Sequence, residues 1–117
     1  MKYAMLIYPK PGSHEGLAEE DAKALTAEYV ALRADSRCLG GAHLQPGDMA
    51  TTVRHGGSGN LITDGPYADA KEVLGGYYVL EESDLDAALD FAQRIPAVRL
   101  GGAVEVLPLV DTGETAH

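Results

Sequence analysis

The chain has 117 residues, of which 45 % are apolar, so it is long enough to enclose one modest hydrophobic core and too apolar to be disordered. Eighteen acidic residues against nine basic ones give a formal charge of −9, which argues against binding to a nucleic-acid backbone, because such binding depends on Lys and Arg. The single cysteine, Cys38, allows no internal disulfide, and no apolar run is long enough to span a membrane. These features predict a cytoplasmic protein without a membrane partner.

The first predicted elements are a strand and a helix. Residues 2–8 carry apolar side chains on both faces, which is typical of a strand that is covered on both sides. Pro9 and Pro11 end this strand because neither can donate a ladder hydrogen bond. Apolar residues then recur at helical spacing over 18–35, behind an acidic first turn, and we expect Gly40-Gly41 to stop this helix.

Strands dominate the middle of the chain. Short β segments are predicted at 42–44, 50–54 and 60–63, the last two joined by a glycine-rich turn. The polar stretch 64–75 separates them from a strand at 76–81, whose Tyr-Tyr-Val-Leu run favours β-structure. Since a hairpin needs only about two to five residues in such a gap, this stretch is the candidate functional loop.

A second helix and a last strand complete the predicted domain. Ser83 is the predicted N-cap of the helix, and Pro96 ends it. The last strand covers about 103–107. We therefore predict a single domain over 1–110, followed by a polar, flexible tail at 111–117.

The element order β-α-β-β-β-α-β predicts an α+β, ferredoxin-like fold, with an antiparallel sheet that carries both helices on one face. The other face keeps large apolar side chains from 2–8 and 77–80, more than a soluble monomer usually exposes. We therefore predict a homodimer in which the two sheets face each other.

Four stretches of the chain are recognisable: DGPYADAKEVLGGYYVLE, DLDAALDFAQRIPAVRLGGAVEVLPL, the opening MKYAMLIY and the LQP before the middle strands. Together they resemble a known family, the DGPF branch of the YCII-related proteins. The chain departs from the branch signature at Tyr67, where Phe is usual, and at Asp69, where Glu is usual. The resemblance covers nearly the whole chain and implies a dimeric α/β-barrel fold.

The resemblance also carries expectations about activity. The wider superfamily includes lyases, isomerases and cofactor-free oxygenases that act on aromatic or lactone-like compounds, and many DGPF proteins are encoded beside extracytoplasmic-function sigma factors. In some YCII-type relatives a His-Asp pair is the proposed catalytic core, with its histidine in the first helix. The comparable helix here carries Tyr29 and no histidine, so that pair does not transfer directly.

Three residues are candidates for catalytic proton transfer. Asp64 follows a predicted strand, where it would either face a cleft between sheet and helices as a general base or accept backbone N–H groups within its own turn. Tyr29 lies on the buried stripe of the first helix, where it would either orient a substrate or serve as a core tyrosine. His43 is the histidine expected near the cleft, whereas the other histidines are assigned to loops or the tail.

Four residues are candidates for substrate binding: Arg54, Tyr67, Lys71 and Glu72. Lys71 and Glu72 would either pair with Asp64 or Arg54 and hold the loop shut, with Lys71 free to bind an anionic substrate group, or form a solvated pair. The histidines lack the spacing of a metal site, and the glycine-rich turn lies between two strands rather than before a helix. We therefore expect no metal and no cofactor.

Two functions are compatible with these features. The first is a cofactor-free enzyme, of lyase, isomerase or oxygenase type, that binds a small cyclic or aromatic molecule between sheet and helices. The second is a non-catalytic dimeric binding or regulatory module, linked to an extracytoplasmic-function sigma factor.

Overall fold

The computed structural model describes residues 1–68 and 70–111. Its elements in chain order are β1 (Lys2–Tyr8), α1 (Glu19–Arg33), β2 (Cys38–His43), a 3-10 turn (Gly47–Met49), β3 (Thr51–Gly56), β4 (Gly59–Asp64), β5 (Gly76–Glu81), α2 (Leu85–Gln93), α3 (Pro96–Arg99) and β6 (Ala103–Pro108).

The main sheet has four antiparallel strands in the order β2-β5-β1-β6. This order, with α1 after β1 and α2 after β5, is the ferredoxin-like arrangement, and a sheet with its helices on one face is the unit of the dimeric α/β-barrel fold. The predicted α+β class is therefore confirmed. The middle strands differ from the expectation, because β3 and β4 pair only with each other, in a separate two-stranded sheet. We call this hairpin, residues 51–64, the arm.

The hydrophobic core lies between the helices and one face of the main sheet. Met5 in β1 stands opposite Tyr78 in β5 and Val106 in β6, so these side chains point to the same face. Phe91 in α2 covers them and meets the Tyr78 ring edge to face, with 5.8 Å between the centroids. The opposite face, which we call the open face, keeps Leu6 only partly buried within this chain.

Two predicted helix boundaries are wrong. Gly40 and Gly41 do not stop α1, which ends at Arg33, but lie inside β2. A Cβ atom on Gly41 would collide with the carbonyl oxygen of Tyr77 on the neighbouring strand, so close strand approach explains this glycine.

The second wrong boundary concerns the N-cap of α2. The cap is Asp84 rather than Ser83, and the Asp84 carboxylate accepts the Ala87 N–H at 2.9 Å. Both residue types are good N-caps, so the sequence pattern does not distinguish neighbouring positions.

A cluster of charges ties the turn after α1 to the end of β5. The Arg37 guanidinium donates to both oxygens of Asp35, at 3.0 and 2.9 Å, and to Glu82 at 2.8 Å. Hydrogen bonds from the Arg37 side chain and backbone hold the pKa of the Asp35 carboxyl well below its usual range. Arg37 and Arg94 also flank the Phe91 ring, 5.5 and 5.4 Å from its centroid.

Within the described residues, no helix is long and apolar enough to cross a membrane. The predicted domain boundary at residue 110 stays a prediction. All of the predicted tail except residue 111 lies outside the described residues.

Candidate functional site

The connection between β1 and α1 places His14 against Tyr29. The Nε2 atom of His14 lies 2.8 Å from the Tyr29 hydroxyl, and its Nδ1 atom lies 2.7 Å from the Ser13 hydroxyl. The two rings are 5.8 Å apart between centroids and tilted by 36°. Ser13, His14 and Tyr29 thus form one continuous chain of hydrogen bonds, which we call the relay.

Contacts with the hydrophobic core and with β5 hold Tyr29 in place. Its ring packs against the hydrophobic core, and its backbone carbonyl accepts the Tyr78 hydroxyl at 2.8 Å. Burial raises the pKa of Tyr78 to about 12, so this hydroxyl stays a donor at all ordinary pH values. The helix turn that carries Tyr29 is therefore anchored to β5.

Burial sets the charge of the relay. Burial lowers the pKa of the His14 imidazole; the Glu15 carboxylate acts in the opposite direction, and the charge of His43 acts in the same direction. Burial raises the pKa of the Tyr29 phenol, against the opposing effects of the Ala97 backbone and Arg99. At neutral pH the relay therefore joins a neutral imidazole to a neutral phenol.

A neutral imidazole has one N–H donor and one acceptor nitrogen. When the Tyr29 hydroxyl donates to Nε2 of His14, the Nδ1–H donates to the Ser13 oxygen. In the other tautomer, Ser13 donates to Nδ1 and the Nε2–H donates to the Tyr29 oxygen. Both arrangements satisfy every group, so the relay can move a proton in either direction.

His43 ends β2 on the same side of the sheet as the relay. It pairs with Gly76 and lies two positions after Gly41, the partner of Tyr78, so it belongs to the face of the sheet that the helices cover. Its side chain is exposed, and its charge reaches His14. Its predicted position near the cleft and its role as a base stay predictions.

Asp64 does not lie in the cleft between sheet and helices. It ends the arm, opposite Thr51, and its side chain is exposed. The expected cleft position is wrong because β3 and β4 leave the main sheet. The turn after it is held by Gly65, whose N–H donates to Ala50 at 2.7 Å and whose carbonyl accepts the Thr52 hydroxyl at 2.7 Å. In residues 1–68 and 70–111 the Asp64 carboxylate forms no hydrogen bond or ion pair, so the alternative role as a turn cap has no support either.

The predicted substrate-binding residues are also on the surface. Arg54, Lys71 and Glu72 are exposed, and the described part of the chain shows no ion pair for any of them. Tyr67 is 78 % exposed. The structure thus brings none of these four side chains to the relay, and their binding roles stay predictions.

A groove of about 520 Å³ lies between the end of β1, the connection before the arm and the loop after it. Its titratable lining groups are Tyr8 and Glu72. The rest of its wall is mainly apolar, from Leu44, Pro46, Met49, Pro66, Val73 and Leu74. Its size suits a small molecule, and its lining favours an apolar one.

Three or more His, Cys, Asp or Glu side chains that could hold a metal ion do not come together anywhere in the described ranges 1–68 and 70–111.

Comparison with known proteins places the chain in a family. The family model of the YCII-related domain matches residues 1–112. The chain belongs to the YCII-related family. An uncharacterised protein of Rhizobium meliloti (strain 1021) is 32 % identical to it over 114 residues, which cover 93 % of this chain and 92 % of that protein.

One similar solved structure of this fold is 5-chloro-2-hydroxyhydroquinone dehydrochlorinase (TftG) from Burkholderia phenoliruptrix AC1100, in complex with 2,5-dihydroxybenzoquinone. It matches this YCII-related chain with a TM-score of 0.51 at 19 % identity and covers 94 % of each chain. At this identity the likeness shows a shared fold.

His14 is the partner of Tyr29 that sequence reasoning missed in this YCII-related chain. The sequence places it in a loop without a role and makes His43 the histidine expected near the cleft. The two partners are 15 positions apart and lie on different elements, so no periodic pattern links them. The available signal was a histidine next to a serine in the connection that runs from β1 to the helix carrying Tyr29.

Proposed function

We propose that this YCII-related protein is a cofactor-free enzyme that binds a small hydroxylated cyclic or aromatic compound and moves a proton through the relay. The observation that carries the proposal is the 2.8 Å hydrogen bond between a partly buried, neutral imidazole and a phenol. A neutral imidazole at physiological pH is a competent general base, and a phenol in contact with it is a competent acid.

The relay supports a balanced two-step transfer. In the first step the Tyr29 oxygen takes a proton from a substrate hydroxyl while the phenol proton moves to Nε2 of His14. This gives an imidazolium whose Nδ1–H donates to Ser13. In the second step the proton returns by the same path to another substrate atom, or to a departing group, and the relay is restored. Isomerisation and elimination both follow this scheme without a redox partner.

The substrate class is proposed from the fold and the groove. TftG, with the same fold, is described as a dehydrochlorinase of a hydroxylated hydroquinone and was solved with 2,5-dihydroxybenzoquinone. The groove of this chain has the size and the apolar lining for a ring of that kind, although the relay residues His14 and Tyr29 do not line it. Hydroxylated quinones and halogenated hydroquinones are therefore the first compounds to test.

The test follows ring absorbance and halide release with 5-chloro-2-hydroxyhydroquinone, and binding of 2,5-dihydroxybenzoquinone by NMR. We expect His14→Gln and Tyr29→Phe to lower the rate by at least about 100-fold, the usual contribution of a positioned acid or base. His55→Gln, on the arm, and Tyr3→Phe, which removes a hydroxyl whose partner is the Met1 sulfur at 3.6 Å, are the matched controls. A wild-type rate in both relay variants would overturn the proposal, and absence of binding across the panel would overturn the substrate class.

A second function, a non-catalytic binding or regulatory module, is favoured by one observation. The arm exposes 71 % of Ile62 and 62 % of Val53, which stand opposite each other on one face. Catalysis by the relay does not require these side chains, whereas docking does. A wild-type complex with a protein partner that Ile62→Ser abolishes would support this module. The link to an extracytoplasmic-function sigma factor and the cytoplasmic location stay predictions.

We also propose that the protein is a homodimer whose main sheets pack open face to open face. Leu6 stands opposite Tyr77 and Glu105 on that face, with Val79 and Leu107 beside them. Light scattering should give twice the chain mass of 12.3 kDa, and Leu6→Glu should return it to the monomer value. A monomeric wild-type protein would contradict this arrangement.

A further inference from the structure

We propose that the arm of one protomer docks across the groove of a second copy of this chain, so that each groove is walled by both protomers. This inference rests on the homodimer of the proposed function and not on the relay. It gives the arm, which the proposed proton transfer does not use, a place in the substrate site.

The arm projects from the rest of the chain. Its two strands pair only with each other, and among residues 1–68 and 70–111 neither packs extensively against a helix or a main-sheet strand. The radius of gyration is 16.3 Å, above the value of about 13 Å that is usual for a compact domain of this size. Six extended residues span about 20 Å, so the arm is long enough to reach a neighbouring protomer.

One face of the arm is apolar and uncovered. Val53 stands opposite Ile62 in the middle of that face, and both side chains are mostly exposed. Leu61 lies on the other face, where its side chain covers Gly56 so closely that a Cβ atom there would collide with it. Since a two-stranded hairpin is only marginally stable in water, the exposed pair favours packing of this face against another surface.

The groove offers an apolar surface that is also uncovered. Leu44, Met49 and Val73 line it, and all three side chains are exposed. Its lining includes Ala50 and Pro66, at the two ends of the arm, but in the described part of the chain it includes no residue of 51–64. The arm therefore starts at the rim of its own groove and leaves that groove open.

The groove also borders the open face. Tyr8, which lines the groove, comes two positions after Leu6 on β1 and therefore lies on the same face of the sheet. In the proposed dimer the open faces meet, so a second copy lies beside the groove. Because a two-fold interface is isologous, an arm that reaches the groove of the second protomer is matched by an arm that reaches the groove of the first.

Charge favours a second copy of this chain as the occupant. Residues 49–63 contain no acidic residue, although the whole chain has eighteen, and they include Arg54. The arm is thus a positively charged segment of a protein with a formal charge of −9, and Glu72 lies in the groove. Complementary charges steer an arm of this kind toward an acidic surface, which a second copy provides.

The first measurement is the dimer dissociation constant of the full chain, by analytical ultracentrifugation. Val53→Ser and Ile62→Ser should each raise this constant at least about 10-fold, because each removes an apolar side chain from the centre of an interface. Leu61→Ser is the matched control, since it makes the same change on the other face of the arm. It should leave the constant within about 2-fold of wild type.

The second measurement locates the arm on the partner subunit by NMR. One chain carries a nitroxide at Ser58→Cys, in the turn at the tip of the arm, with Cys38→Ala removing the native thiol. It is mixed with a second, nitroxide-free chain whose methionine methyl groups are isotope-labelled. In the mixed dimer the Met49 signal should be broadened, because Met49 lines the groove, whereas the signal of Met1, at the other end of β1, should be retained.

Two results would overturn this inference and leave the arm to a different protein partner. One is an equal dissociation constant for Ile62→Ser and Leu61→Ser, and the other is a mixed dimer in which the Met49 signal keeps its intensity. A monomeric wild-type protein would overturn it together with the proposed homodimer. A dimer that meets both expectations but turns over no compound would instead count against the proposed enzyme alone.

Discussion

Two strands of the same length, β4 in the arm and β5 in the main sheet, end up in opposite environments. Every residue of β4 is exposed, whereas β5 alternates buried residues with more exposed ones. Both carry consecutive large apolar residues, Leu61-Ile62 in one and Tyr77-Tyr78-Val79-Leu80 in the other. A strand can therefore be encoded by its local sequence while its burial depends on which strands and helices pack against it.

The neighbours differ for a geometrical reason. β5 pairs with β1 on one side and with β2 on the other, and the helices cover one of its faces. The arm strands pair only with each other, and a two-stranded hairpin is at best marginally stable in water. We therefore expect substitutions in the main sheet to change stability strongly and matched substitutions in the arm to change it little.

The largest difference is expected for leucine truncation. Leu80→Ala removes a side chain that is 0 % exposed and leaves a cavity, so it should lower the free energy of unfolding by about 2–5 kcal/mol. Leu61→Ala, in the arm and 46 % exposed, should cost less than about 1 kcal/mol. Urea denaturation measures both, and equal losses would contradict the division into core and arm.

The next largest difference in stability between the main sheet and the arm is expected when a glycine is replaced by alanine. Gly41→Ala puts a methyl group against the Tyr77 carbonyl and 2.9 Å from a ring carbon of Tyr78, so one strand must shift, at a cost of about 1–3 kcal/mol. Gly57→Ala, at the tip of the arm, meets nothing within 4 Å and should leave the melting temperature nearly unchanged. A neutral Gly41→Ala would show that β2 and β5 are more loosely paired than the structure indicates.

The effect of a carboxylate substitution on the free energy of unfolding should depend on pH in the Arg37 cluster and not in the arm. The Asp35 pKa is depressed in the folded state, so its contribution is complete above the unfolded value of about 3.9 and is lost as the pH falls through the folded value. Asp35→Asn should therefore lower the free energy of unfolding by about 1–2 kcal/mol at pH 7 and by less at pH 3.

Asp64→Asn, in the arm, is the control for this pH effect. Since its carboxylate has no described partner, the variant should match wild type within about 0.5 kcal/mol at both pH values. A constant difference between Asp35→Asn and wild type at pH 7 and pH 3 would contradict the assignment to the Arg37 cluster.

The smallest effect is expected at the start of α2. Asp84→Ala removes the carboxylate that accepts the Ala87 N–H and should cost about 1 kcal/mol. Ser83→Ala, one position earlier, should be nearly neutral, because Ser83 is exposed and does not cap the helix. Thermal melts of the two variants distinguish them, and a reversed order would restore Ser83 as the cap.

Sequence reasoning located the elements better than the contacts between them. The strand at 76–81 was predicted at its observed bounds, and α1 and β6 within a few residues, because apolar spacing and turn residues act over short distances. Gly41 shows the limit. A glycine pair after a helix reads as a stop, and only the pairing of β2 with β5 reveals that it is needed for close approach.

In the candidate site, too, the sequence located residues from local spacing but not from the pairing of distant strands. Tyr29 was a candidate because it lies on the buried stripe of its helix, a property of local spacing. Asp64 was expected in the cleft because it ends a strand, but the strand it ends belongs to the arm. Its role in proton transfer stays a prediction, as do the binding roles of the loop residues.

The sequence by itself determined the α+β order, the family and the buried face of α1, since each of these depends on residues a few positions apart. The tertiary structure alone decided that β3 and β4 leave the main sheet, and that His14 hydrogen-bonds to Tyr29. Both outcomes depend on contacts between elements that are distant in the chain. Such contacts depend on which sheet edges are free and on where a connection crosses a helix. Hydrophobic periodicity in the sequence reports neither of these.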